Sequence, residues 1–374
     1  MKIVHSGNIF QVYDDDLKAY DELPVGVYTL HCSQQMGWYM KSRDELEVKE
    51  AKIYGNHQSK VEKVLRTYDE FNRNLGIILS GNKGIGKSLF TRLLAIEANK
   101  KGLPVLMVEK YIPGLAGYIQ NIDQEIMVMF DEYDKTFGDV NAPDGAADPQ
   151  TELLSLFDGT STGKKLFVIT CNETNKISSY LVNRPGRFHY HFRFENPDSS
   201  EVKEYLQDNI TDKANWQYID AIVAFASRVG LNYDCLRSIA FEINQGESFE
   251  DAIKDLNIVN AETPRYQISI VYKDGTIAHN RYPMQIDLFT NKNIHVNDFY
   301  IGSQYVIDGI NFNTCDVEYD LNEFTNKVDG SRVSIDYNNY DDEDKEREKH
   351  FKQIGVDFVR FDRERDKSFH YNLL

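Results

Sequence analysis

The eight residues Gly81-Asn82-Lys83-Gly84-Ile85-Gly86-Lys87-Ser88 constrain this chain more than any other stretch of it. They fit the pattern G-x-x-x-x-G-K-[ST], whose glycines let successive backbone N–H groups converge on phosphate oxygens. Such a loop has meaning only between a strand and a helix. Gly76-Ile77-Ile78-Leu79 in front of it reads as a short buried strand, and the stretch from Ser88 to Lys101 behind it as a helix. A second strand follows at Pro104 to Val108, and the order strand, helix, strand predicts a parallel sheet with helices on both faces. In that setting the helix N-terminus adds its dipole, Lys87 reaches β- and γ-phosphates, Ser88 ligates magnesium, and Leu89 completes the nucleotide-binding segment.

Ile126-Met127-Val128-Met129-Phe130 is an apolar run ending in Asp131-Glu132, the form of a buried strand that delivers two carboxylates at its C-terminal edge. Asp131 there would hold magnesium, and Glu132 would take a proton from the water that attacks the γ-phosphate. A third apolar strand, Leu166-Phe167-Val168-Ile169-Thr170, ends at Cys171-Asn172, and a short helical stretch then leads to Asn183-Arg184-Pro185-Gly186-Arg187-Phe188.

Phosphate loop, acidic strand, Asn-ended strand and R-P-G-R together resemble the AAA+ ATPases, especially the AAA clade, over residues 53–258. The resemblance implies a P-loop NTPase sheet followed by a helical lid, with ATP and Mg2+ as cofactors. It implies ATP hydrolysis at the subunit interfaces of a homo-oligomeric ring, usually a hexamer. Asn172 becomes the sensor that helps place the attacking water. Arg184 and Arg187 become arginine fingers acting on ATP held by the neighbouring subunit, where a cation stabilises the transition state. Ile53-Tyr54-Gly55 looks like the adenine segment, with Tyr54 and Gly55 as its contacts. Arg237 is the nearest residue to the family's second sensor, but Asp234 competes for the aligned position and the reading goes against Arg237. Tyr111-Ile112-Pro113-Gly114 resembles a pore loop that grips an extended polypeptide, Tyr118 being the other candidate; a Tyr packed under a Pro-Gly turn is the alternative. The segment between the second strand and Ile126 is shorter than the family usually devotes to its second helix and pore loop.

The flanks lie outside the resemblance. Val25 to Cys32 and Met36 to Tyr39 read as strands, so residues 1–50 are expected to form a small β-rich N-terminal domain, followed by the ATPase subdomain over 51–197. Val61, Val64, Leu65, Tyr68 and Phe71 recur at helical spacing ahead of the first strand. Asp198 and Glu201 have capping-box spacing at the start of a helical lid over 198–262. Beyond Pro264 the period drops to two: Ile268, Ile270 and Tyr272, then Met284, Ile286 and Leu288, around an Asp274-Gly275 turn, predict a β-rich C-terminal domain over 263–374. The charged stretch from Asp341 to Lys352 reads as a solvated helix or loop.

Forty-two basic against 59 acidic side chains give a net charge of -17, which disfavours duplex DNA held by bulk charge. No stretch has the form of a secretory signal or a membrane span, so an intracellular, cytoplasmic protein is expected, in host cytoplasm if viral; the abundance of Asn, Tyr and Lys hints at a bacteriophage. The cysteines at 32, 171, 235 and 315 are scattered and read as plain thiols. The preferred function is an ATP-hydrolysing ring that remodels or threads a protein client. A nucleic-acid motor or replication loader, and an ATP-dependent assembly scaffold or switch, are the alternatives.

Overall fold

The computed structural model describes residues 1–6, 9–44, 46–48, 50, 52–138, 149–158, 163–182, 186–256, 258, 263–337 and 342–364. It divides into two compact units, Met1–Phe194 and Glu195–Leu374.

The elements of the first unit are β1 (Lys2–Ser6), β2 (Ile9–Tyr13), β3 (Val27–Ser33), β4 (Gly37–Ser42), α1 (His57–Glu70), β5 (Leu75–Ser80), α2 (Lys87–Lys100), β6 (Val105–Val108), α3 (Leu115–Gln120), β7 (Ile126–Phe130), α4 (Tyr133–Thr136), α5 (Pro149–Phe157), β8 (Lys165–Cys171), α6 (Ser179–Val182) and β9 (Tyr190–Arg193). Seven strands form one sheet in the order β4-β3-β6-β7-β8-β5-β9, with every pair parallel except the β3–β4 hairpin. Every residue of β5, β7 and β8 is buried, which is why these strands read as unbroken apolar runs instead of alternating ones. Their side chains feed two cores. Ile77, Leu79, Met127, Met129, Leu166 and Val168 pack beneath α1 and α2, whose stripe Val61, Val64, Leu65, Tyr68 meets Phe90 and Leu94. On the opposite face Ile78, Val128, Phe130, Phe167 and Ile169 pack beneath Leu115, Ile119, Leu153 and Phe157 of α3 and α5.

The N-terminal segment differs from expectation. β3 and β4 extend the large sheet itself, with Val27 of β3 opposite Val105 of β6, and only β1 and β2 form a hairpin of their own. Residue 50 therefore does not separate two sheets. Strand-forming composition identified β3 correctly, but its partner lies some 80 residues away in sequence, and pairing at that range leaves no local signal.

In the second unit α7 (Ser199–Asn209), α8 (Ile219–Val229), α9 (Tyr233–Gln245) and α10 (Phe249–Asp255) are followed by β10 (Arg265–Tyr272), β11 (Ile277–Asn280), β12 (Met284–Gln285), β13 (Asn293–Ile301), β14 (Gln304–Asn313), β15 (Glu318–Asp320), β16 (Thr325–Asp329), β17 (Ser334–Asp336), α11 (Asp342–Ile354) and β18 (Val356–Arg363). The Asp198 capping box forms: its Oδ1 accepts from Ser200 N and Glu201 N, both at 2.9 Å, and Glu201 accepts from Asp198 N at 3.2 Å. The strands make a nine-stranded antiparallel sheet, with β10 between β18 and β11. Helices and sheet share one unit across the boundary expected at 262, for Tyr319 Oη donates to Ser199 Oγ at 2.7 Å and Arg228 to Val317 O at 3.0 Å. Ile286 and Leu288 are buried as their alternation suggested, although the strand itself ends at Gln285. The charged stretch near the C-terminus is the helix α11, which buries Phe351 against the sheet. Among the described residues no helix is long and apolar enough to cross a membrane.

Candidate functional site

Parallel strands leave all their C-terminal ends at one edge, and here the ends of β5, β7 and β8 lie side by side. β5 runs into the loop Gly81 to Gly86, and α2 starts at Lys87. Two of the glycines are obligatory. Gly81 has φ +139° and a Cβ there would lie 2.2 Å from the Phe194 carbonyl oxygen; Gly86 has φ +97° and a Cβ there would lie 2.8 Å from His57 Nε2. Within the loop Asn82 and Lys83 are exposed, Gly84 has φ +76° and Ile85 is buried, while Ser88 is exposed at the first turn of α2 and Leu89 is half-buried against the core.

Lys87 is half-buried, and its Nζ donates to Gly81 O, to Asn82 O at 2.7 Å and to Asn172 Oδ1 at 2.9 Å. Burial pulls its pKa down, opposed by the nearby carboxylates of Asp134, Asp131 and Glu132. Asn172 follows the last residue of β8, so the sensor expected from sequence does meet the loop lysine.

Asp131 and Glu132 follow β7, both exposed. Glu132 sits at φ +46°, a left-handed conformation that a non-glycine residue holds only when its surroundings enforce it. Thr170 of β8 does so. Its Oγ1 accepts from Glu132 N at 2.8 Å and donates to Asp131 Oδ1 at 2.6 Å, joining both carboxylate-bearing residues to the neighbouring strand. The Glu132 carboxylate pairs with Lys135 one helical turn on; that contact is the main cause of a pKa held below the ordinary glutamate value, to which nearby Asn172 adds. A carboxylate in that state is ionised near neutrality, and the Lys135 contact makes it a weaker proton acceptor than a free glutamate. Cys171, between these groups, is a buried thiol whose pKa is pushed up to about 12, mainly by desolvation, and so is not a nucleophile.

Sequence reasoning missed Asp134 and His57. Asp134 is 1% exposed, and its Oδ2 accepts from Asn172 N at 3.1 Å and Glu173 N at 3.0 Å. The only local sign was a second acidic residue two places after Glu132. His57 is buried at the start of α1; its Nδ1 is 2.9 Å from Tyr54 O, and its ring lies against Gly86. That imidazole lies between the half-buried Tyr54 and the glycine-rich loop, while Gly55 is exposed.

Other expected residues fare differently. Arg187 is 7% exposed and clamped inside its own protomer: Nε and Nη2 engage both oxygens of Asp158, the latter at 2.7 Å, and Nη1 donates to Tyr180 O at 2.9 Å. The resemblance implies a role for it in a neighbour's site; within this chain the fold supplies a carboxylate that pairs with it. Arg184 lies outside the described residues. Arg237 is exposed and pairs with Asp234 at 3.7 Å. Neither pore-loop tyrosine stands free at a tip, since Tyr111 Oη donates to Glu152 at 2.6 Å and Tyr118 stacks on Trp38 with centroids 4.8 Å apart. The crossover that carries them has only the six-residue α3.

Residues 77–196 match the family model described as "ATPase family associated with various cellular activities (AAA)". The mitochondrial inner membrane m-AAA protease component YTA10 of Saccharomyces cerevisiae is 30% identical over 139 residues, 33% of this chain and 18% of that protein. The ATP-dependent zinc metalloprotease FtsH 2 of Sorangium cellulosum is 25% identical over 179 residues, 41% of this chain and 30% of that protein. ATPase family gene 2 protein of Schizosaccharomyces pombe is 28% identical over 157 residues, 37% and 19% of the two chains. The chain thus spans less than a third of the length of these curated relatives.

Proposed function

We propose, from the premise that residues 77–196 form an AAA ATPase domain, that this chain hydrolyses ATP to ADP and phosphate and uses the energy to remodel a protein client within a ring of its own copies. The observation that carries the hydrolytic part is the meeting of Lys87, Glu132 and Asn172, which three separate strand ends supply. Backbone N–H groups of Gly81 to Lys87 and the Lys87 ammonium bind the phosphates. Ser88 and Asp131 offer the hard oxygen donors that magnesium takes, and the ion when bound offsets charge on the β- and γ-phosphates. Glu132 accepts a proton from water as the water oxygen bonds to the γ-phosphorus and the bond to the β–γ bridging oxygen breaks. Asn172 orients that water.

Ring assembly places Arg184 as the finger acting on a neighbour's ATP, with Arg187 holding the segment through Asp158. The protein client rests on the family likeness, because both candidate pore tyrosines are engaged within the chain.

Steady-state phosphate release tests the first half. Glu132→Gln is expected to bind ATP as wild type does and to lose turnover by about 100-fold or more, whereas Lys87→Ala loses binding itself. Equal turnover in wild type and Glu132→Gln overturns the assignment. Mixing Arg184→Ala with Lys87→Ala subunits restores part of the activity only where sites are shared between copies. Stimulation by an unfolded protein supports the client class; salt-sensitive stimulation by DNA or RNA instead moves the chain to the nucleic-acid motors.

A further inference from the structure

The contacts around Asn172 form a closed circuit. Its side chain accepts from Lys87 Nζ at 2.9 Å and lies close enough to the Glu132 carboxylate to help hold it ionised, so it stands between the loop lysine and the acidic residue. Its backbone is held by a residue from the turn that carries Glu132. Asp134, two positions beyond Glu132, accepts from the N–H groups of both Asn172 and Glu173 through one oxygen, Oδ2. The other oxygen, Oδ1, is buried without a hydrogen-bond partner. Burying a carboxylate with half its acceptor capacity unused is costly, so the two bonds it does make are the reason for its place here. What the carboxylate does supply is one rigid acceptor shared by two successive backbone donors, so that a shift of Asn172 relative to Glu132 requires both bonds to break.

We infer that Asp134 is a positioning residue for hydrolysis, setting Asn172 against Glu132 through the backbone of residues 172 and 173. It touches no substrate atom in this role. The inference rests on the ATPase reading above and extends it to a residue outside the phosphate-binding loop and the attacking-water contacts.

The test is a double-mutant cycle on the full-length chain, reading kcat and, separately, ATP affinity. Asp134→Ala, which removes the shared acceptor, is expected to lower kcat by about 10- to 100-fold while ATP affinity stays within about two-fold. Asp134→Asn, whose amide oxygen can still accept from both N–H groups, is expected to recover most of that loss. Asn172→Ala lowers kcat as Asp134→Ala does. If Asp134 acts through Asn172, the double variant falls no more than about three-fold below the worse single variant, because there is nothing left to position. Losses that multiply, or a loss of affinity that matches the loss of kcat, overturn the inference and leave Asp134 a stabilising contact of α4. Amide hydrogen exchange in the wild-type chain supplies a readout that needs no variant to fold: the Asn172 and Glu173 amides are expected to be protected, and exchange at unprotected rates sinks the proposal. Absence of turnover in the wild type is a different failure, that of the ATPase reading, and it removes this inference with it.

Discussion

The two units of the chain differ most in charge. Met1–Phe194 has 23 Lys and Arg against 25 Asp and Glu, whereas Glu195–Leu374 has 19 against 34 and so holds 15 of the 17 net negative charges. Chain-wide acidity is therefore a property of the second unit, and the objection it raises to polyanions does not bear on the unit with the phosphate loop. The sheets differ in a matching way. The parallel sheet collects the glycine-rich loop, the carboxylates and Asn172 from residues 81–88, 131–134 and 170–173 at one edge, while the antiparallel sheet sends successive strand ends to opposite edges and, among the described residues, gathers no such set.

That contrast can be broken most severely by emptying each core. Phe130, at the end of β7 and fully buried, makes edge contacts with the rings of Tyr133, Phe137 and Phe157; Phe299 is fully buried in the antiparallel sheet. Truncation of either to Ala is expected to cost about 3–5 kcal/mol by urea titration. Only Phe130→Ala is expected to lower the kcat of the protein that remains folded, since its ring seats the strand end bearing Asp131 and Glu132. An equal kcat loss in Phe299→Ala would show that the chemistry is not confined to the parallel sheet.

A smaller effect comes from Lys165, a fully buried cation in the near-neutral unit. Its Nζ donates to the carbonyls of Ile122 at 2.6 Å, Gln124 at 3.2 Å and Gly163 at 2.7 Å, and desolvation lowers its pKa to about 8. Because that folded value lies below the unfolded one near 10.4, the unfolded chain binds more protons between the two. The cost of burying the charge is full below about pH 8 and is relieved as pH rises toward the unfolded value. Lys165→Met is expected to flatten that slope of stability against pH, and to cost about 1–3 kcal/mol near neutrality by leaving three carbonyls unpaired. An unchanged slope would mean that Lys165 does not carry the linkage.

The smallest effect is salt. Raising NaCl from about 10 to about 100 mM shortens the screening length from about 30 to about 10 Å. The second unit should gain less than about 1 kcal/mol, roughly 2–4 °C in Tm, as its self-repulsion weakens. The two tryptophans make this readable: Trp38 lies in the first unit and Trp216 in the second, so single Trp→Phe variants report each by fluorescence. A larger gain in the first unit would contradict the charge division.

The helix α1, the strands β5 to β8 and the Asp198 cap were legible because each is written in local periodicity or spacing. The phosphate loop was legible for a stronger reason, that few other sequences permit φ +139° and +97° where a Cβ would collide. Thr170 could not be recognised as a pivot, since its two bonds go to a strand that pairs with its own only after folding. The partner of Arg187 was hidden for the same reason: R-P-G-R fixes the residue type, while Asp158, 29 positions earlier, holds the guanidinium.

By itself the sequence determined which residues form the glycine-rich loop between strand and helix, which are acidic at a strand end, and that the core is a parallel sheet, because glycine geometry and apolar periodicity act over a few residues. Only the tertiary structure decided that β3 joins that sheet, that Asp134 grips the backbone after β8, and that both candidate pore tyrosines are occupied. Those outcomes depend on contacts between segments tens of residues apart, whose energies exist only once the chain has closed on itself.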